Sequence, residues 1–114
     1  MIVRVTEIEP KQVEKPRGGT GVATQVPYEI MKQYGGQISA FAFMDLPPEA
    51  SIGYHKHEDD MEIYLLLDGV AAVNDNGVET ILTPGDVLIT EQGQSHSLSN
   101  NTDKNLSFLA IILK

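Results

Sequence analysis

From Gln37 to the end of the chain, turn-forming clusters recur roughly every eight to twelve residues, with a short apolar run between each pair. That punctuation predicts an all-β sandwich or barrel. Asn74-Asp75-Asn76-Gly77 reads as a tight hairpin, because Asn and Gly tolerate positive φ, and Thr83-Pro84-Gly85-Asp86 as a type II turn. The run Gln37 to Leu46 is the first convincing strand. Ile38, Ala40, Ala42, Met44 and Leu46 share one face and Phe41 and Phe43 the other, which implies a strand between two layers. Ile63 to Leu67 is likewise apolar on both faces. Val70 to Val73, Val78 to Leu82, Val87 to Thr90 and His96 to Asn100 are further strands, and Leu106 to Leu113 is the strongest of all.

The N-terminal third is less regular. Ile2 to Val5 suits an edge strand or an arm, and Thr6 to Lys15, with Pro10 and many charges, reads as loop. Arg17-Gly18-Gly19-Thr20-Gly21 lacks the Gly-Lys-Ser/Thr ending of a phosphate-binding loop, so it reads as a turn where backbone passes close to something. Val22 to Gln25 suits a strand. Val26 to Met31 suits a strand end or one helical turn with Pro27 at its start, stopped by Gly35-Gly36. With 114 residues there is room for one domain: a barrel over 37–114 with residues 1–36 packed on it as an arm and loop/strand segment.

Composition narrows the chemistry. With no cysteine, disulfides, thiolate metal sites and thiol nucleophiles are excluded. A net charge of −8 repels phosphate backbones and argues against nucleic acid as a partner. No segment is apolar for long enough to span a bilayer, and the N-terminus has no signal-peptide pattern, so no membrane partner and a cytoplasmic location are expected.

Between Ser51 and Gly69 lie His55, His57 and Glu62. Residues two apart in an extended chain share a face, so the two imidazoles can close on one ion. Glu58-Asp59-Asp60 can turn the chain back into Glu62 to Leu67, and such a hairpin sets the Glu62 carboxylate opposite both rings. Imidazole with carboxylate suits divalent Mn, Fe, Co, Ni or Zn. His96, the third histidine, sits beside a Gly-rich turn. Asn74 to Gly77 superficially resembles a calcium loop but has no closing Glu at the right offset, which excludes calcium there.

These residues resemble the two motifs of the cupins, small jelly-roll barrels with a metal in the barrel mouth. His55-Lys56-His57, four residues, Glu62, six residues and Gly69 match the first motif. Gly85, five residues, Glu91-Gln92-Gly93, two residues, His96, three residues and Asn100 match the second. Two turn positions depart: Glu49 stands where the family has glycine and Glu91 where it has proline. The resemblance covers about Pro48 to Asn100. It implies an all-β double-stranded β-helix and one divalent transition metal on His55, His57, Glu62 and His96, with two positions of an octahedron open for a small-molecule ligand or substrate.

A metal-dependent enzyme acting on a small oxygenated molecule (a decarboxylase, dioxygenase or isomerase) is the first expectation. A non-catalytic binder or sensor whose metal anchors the ligand is the second, and a structural dimer the third. Strand parity makes Tyr64 an inward neighbour of Glu62, while Glu91 and Gln94 lie near His96 in sequence; Tyr64 and Glu91 are the catalytic candidates. Asn100 is expected to fix a turn through its side chain. The apolar runs 2–5 and 106–113 exceed what one small barrel covers, so a homodimer is expected.

Overall fold

A computed structural model describes residues 1–114, which form ten strands in two antiparallel sheets. The strands are β1 (Lys11–Glu14), β2 (Val22–Pro27), β3 (Ile38–Leu46), β4 (Ser51–Lys56), β5 (Met61–Asp68), β6 (Ala71–Asp75), β7 (Val78–Leu82), β8 (Val87–Thr90), β9 (Ser95–Ser99) and β10 (Leu106–Leu113). The six-stranded sheet runs β1-β2-β3-β10-β5-β8 and the four-stranded sheet β4-β9-β6-β7. From β3 onward the chain passes repeatedly between the sheets, which is the double-stranded β-helix. Short 3-10 helices cover Val5–Glu7, Pro16–Gly18 and Glu29–Gln33. No helix is long and apolar enough to cross a membrane.

Alternation along each strand builds the core. Ala42, Met44 and Leu46 of β3, Tyr64 and Leu66 of β5, Leu98 of β9 and Leu106, Phe108 and Ala110 of β10 are all buried in one cluster. The same alternation on β5 and β9 buries Glu62 and His96, polar residues that continue the inward rows toward one end of the barrel.

The turns follow their sequences. Asn76 (φ 49°) and Gly77 (φ 101°) close the β6–β7 hairpin. Gly85 (φ 95°) sits in a turn closed by the Asp86 N–H donating to the Thr83 carbonyl at 3.0 Å. Glu49 keeps a left-handed backbone at φ 71°, so the conformation a glycine would supply survives the replacement. Glu91 donates its N–H to Gln94 Oε1 at 3.0 Å, a bond that proline cannot make. Buried Asn100 donates to the carbonyls of Leu46 (3.0 Å) and Lys104 (2.7 Å) and accepts from the N–H and hydroxyl of Thr102, fastening the following turn to the end of β3.

Three expectations need correction. Lys11–Glu14 is a strand rather than loop: it pairs with β2 as the outer strand of the six-stranded sheet, where polar side chains face water without cost. Of the two readings of Ile2 to Val5, the edge strand falls, since residues 2–4 lie in no strand and are exposed. Nor do β4 and β5 form a hairpin. They belong to opposite sheets, so the turn after His57 crosses the barrel, and Glu62 meets the histidines across its interior.

Surplus apolar surface lies at the exposed Ile2, Val3 and Val5 and, through Leu109 and Ile111 of β10, on the outer face of the six-stranded sheet, where register aligns Phe43, Leu109, Leu65 and Val87 in one row and Phe41, Ile111, Ile63 and Ile89 in the next.

Candidate metal centre

His55 reaches the interior because of an irregularity in β4. Ile52 pairs with Leu98 and His55 with His96, so β4 spends three residues where β9 spends two. Such a bulge re-aims the side chain that follows it. Ile52 and His55, three apart, both come to line the same cavity. The bulge also frees the Gly53 carbonyl, which accepts a hydrogen bond from His55 Nδ1 at 2.7 Å. His57 lies just beyond β4, its backbone paired to Gln94 and Gly93.

Each imidazole is oriented through Nδ1. His57 Nδ1 donates to Asp60 Oδ1 at 2.7 Å, and Thr90 Oγ1 lies 2.7 Å from His96 Nδ1. A carbonyl and a carboxylate can only accept, so His55 and His57 each carry a proton on Nδ1 and turn Nε2 inward. Thr90 holds the third ring by the same nitrogen, and its Nε2 points toward the other two. Burial pushes the His55 imidazole below its usual range, against the opposing Gly53 hydrogen bond, and so favours its neutral form.

The three Nε2 atoms converge. His57 Nε2 and His96 Nε2 are 3.1 Å apart, and His96 Nε2 and His55 Nε2 3.2 Å. Glu62 Oε1 is 3.1 Å from His57 Nε2 and 3.0 Å from His96 Nε2. All four donors lie within 4.8 Å of one another. Nitrogen lone pairs and a carboxylate oxygen gathered this closely form a donor set that a divalent cation would satisfy at once. For metal–ligand bonds of about 2.1–2.2 Å, an octahedron has edges of about 3.0–3.1 Å and a tetrahedron about 3.4–3.6 Å. The observed edges match the former, and the donor set fits one divalent ion.

Beside the cluster is a cavity of about 220 Å³, below the roughly 300 Å³ at which drug-sized sites begin. Its fourteen lining residues are mostly apolar; the polar ones are His55, Glu62, Tyr64, Arg17 and Gln25. Tyr64 is stacked on His96 with ring centroids 4.7 Å apart. Burial, then the adjacent Glu62 charge, pushes its hydroxyl well above the ordinary tyrosine range, so it remains a donor. Glu91 is exposed and does not line the cavity, and Gln94 spends its side-chain oxygen on the Glu91 N–H.

The sequence reading missed Arg17 and Gln25, and it took Asp60 only as a turn residue. Thr90 carried no signal of its own, since it acts through its place opposite Glu62 in the β5–β8 register.

A sequence model of the cupin domain family matches residues 42–112. An oxalate-binding protein of Thermotoga maritima is 39% identical over 113 residues, spanning 99% of this chain and 93% of the relative. A crystal structure of a predicted oxalate decarboxylase from Thermotoga maritima superposes with a TM-score of 0.90 at 40% identity, covering 99% of this chain and 98% of the other. A sugar phosphate isomerase from Silicibacter pomeroyi has a TM-score of 0.79 at 21% identity, covering 100% of this chain and 76% of the other; at that distance the likeness is one of fold.

Proposed function

This chain belongs to the cupin family, and from that premise we propose that it holds one divalent transition metal, Mn, Fe, Co, Ni or Zn, on His55, His57, Glu62 and His96 and binds a small carboxylate of the oxalate class beside it. The observation that carries the reading is the convergence of three Nε2 atoms and Glu62 Oε1, with neighbouring pairs 3.0–3.2 Å apart, at the wall of a small cavity. The metal supplies a Lewis-acid anchor for carboxylate oxygens when bound. The chain's own groups do the rest: apolar walls exclude water, and Tyr64 offers a proton without releasing it.

Binding without turnover is the better supported form of this function. Proton transfer needs a group that gives and takes a proton near working pH. Beyond the proposed ligands, the cavity has no carboxylate or imidazole, and Tyr64 holds its proton too tightly to act as a base. Protein loaded with manganese is expected to take up oxalate in a calorimetric titration, and chelator-treated protein to show no binding. Formate and carbon dioxide should not accumulate. Their steady release would move the assignment to a decarboxylase, and oxalate binding that survives chelation would remove the metal from it.

We also propose that two copies pair through the two outer rows of the six-stranded sheet, since contiguous apolar surface of that kind is covered in a stable protein. Light scattering at micromolar concentration should give twice the 12.5 kDa chain mass. A mass of one chain would contradict the pairing.

A further inference from the structure

The glycine-rich segment 17–21 lies flush against β4, and its fit explains where Arg17 ends up. A Cβ on Gly19 would stand 2.1 Å from the Ser51 carbonyl oxygen, and one on Gly53 2.2 Å from the Arg17 carbonyl oxygen. Only glycine at both positions lets the two backbones meet. Further bonds tie the segment down: Thr20 and Ser51 exchange backbone hydrogen bonds of 3.3 and 2.9 Å, and Thr20 Oγ1 donates to the Glu49 carbonyl at 2.7 Å. Within this frame Lys15 (φ 45°) and Arg17 (φ 52°) both adopt left-handed backbone, a conformation costly for residues with a Cβ.

This frame sets Arg17 beside the cavity. Itself exposed to solvent, Arg17 lines the cavity together with His55 and Glu62, and its charge acts on both His55 and Tyr64. No carboxylate of this chain pairs with it. An unpaired guanidinium at the wall of a small, mostly apolar cavity suits a planar anion, which its fork of donors can grip at two oxygens. The remaining polar group, the Gln25 amide, is neutral.

We propose that Arg17 is the carboxylate-gripping residue of this site, and that it sets a preference for ligands with two carboxylates over chelating ligands with one. The proposal rests on the metal-anchored reading above and adds which residue recognises the ligand. Oxalate and glycolate separate the two ideas, because both chelate and only oxalate has the second carboxylate.

The test uses the full chain loaded with manganese, with metal uptake followed by electron paramagnetic resonance and ligand binding by calorimetry. Arg17→Ala is expected to take up manganese as the unaltered protein does and to lose roughly ten- to hundredfold in oxalate affinity, the range for a charge-assisted hydrogen bond left unmade. Its glycolate affinity should change less than about threefold. Arg17→Lys should recover part of the loss, since a point charge replaces the fork. Oxalate affinity in Arg17→Ala within threefold of the unaltered protein, with manganese bound, overturns the proposal and leaves the metal-anchored reading standing. Equal losses for oxalate and glycolate overturn the preference. Failure of the loaded, unaltered protein to bind oxalate overturns both.

Discussion

Replacing His96 by alanine is expected to weaken divalent-metal binding by more than about a hundredfold. Loss of a group that merely orients a ligand costs roughly ten- to hundredfold, and His96 is closer to the centre than that. Its Nε2 lies within 3.0–3.2 Å of the donor atoms of the other three residues. Thermal unfolding with and without metal gives the cleanest measure. At a metal concentration one hundred times Kd, binding adds about 2.7 kcal/mol, worth roughly ten degrees in Tm for a domain of this size. A hundredfold weaker site gains only about 0.4 kcal/mol at the same concentration, a rise of about two degrees. The comparison must be between loaded and metal-free forms of each protein. The substitution also removes a buried ring stacked on Tyr64, which lowers Tm in both forms. A His96→Ala protein whose Tm rises on metal addition as much as the unaltered protein's would show that the ion is held elsewhere.

Residue type and spacing made the four proposed ligands legible, because imidazole and carboxylate chemistry belongs to the side chain whatever surrounds it. Turns were legible for a similar reason: Asn76-Gly77 and Thr83 to Asp86 carry their backbone preferences locally. What failed was partnership over distance. A polar turn after a strand reads the same whether the chain pairs back in its own sheet or crosses to the other, so β4 and β5 looked like a hairpin. Lys11–Glu14 looked like loop because one polar edge strand has little apolar pattern to show. The bulge at Gly53–Tyr54 was invisible, since only the register against β9 reveals that three residues span the space of two. Arg17 was hidden by the same limit. Its glycines signalled close approach of backbone, and the sequence did not say that β4 was what they approached.

Gly53 is where these non-local features meet, and Gly53→Ala is expected to cost about 3 kcal/mol, the upper end for overpacking. The new methyl would sit 2.2 Å from the Arg17 carbonyl oxygen and 3.0 Å from the Gly19 nitrogen. Both are backbone atoms, so no rotamer change relieves the clash and the 16–21 segment must lift. Urea denaturation should report the stability loss. Hydrogen exchange should speed up at the Thr20 and Ser51 amides, which bond one another's carbonyls across this contact. Metal affinity should fall as well, by roughly tenfold, because the Gly53 carbonyl orients His55 and would shift with its residue. Gly18→Ala supplies the comparison: at φ 77° it carries backbone strain of about 1–2 kcal/mol, but nothing lies within 4 Å of its added methyl. If Gly53→Ala proves no less stable than Gly18→Ala, and Thr20 and Ser51 exchange unchanged, then the glycine segment does not rest on β4, and Arg17 loses the support that holds it at the cavity.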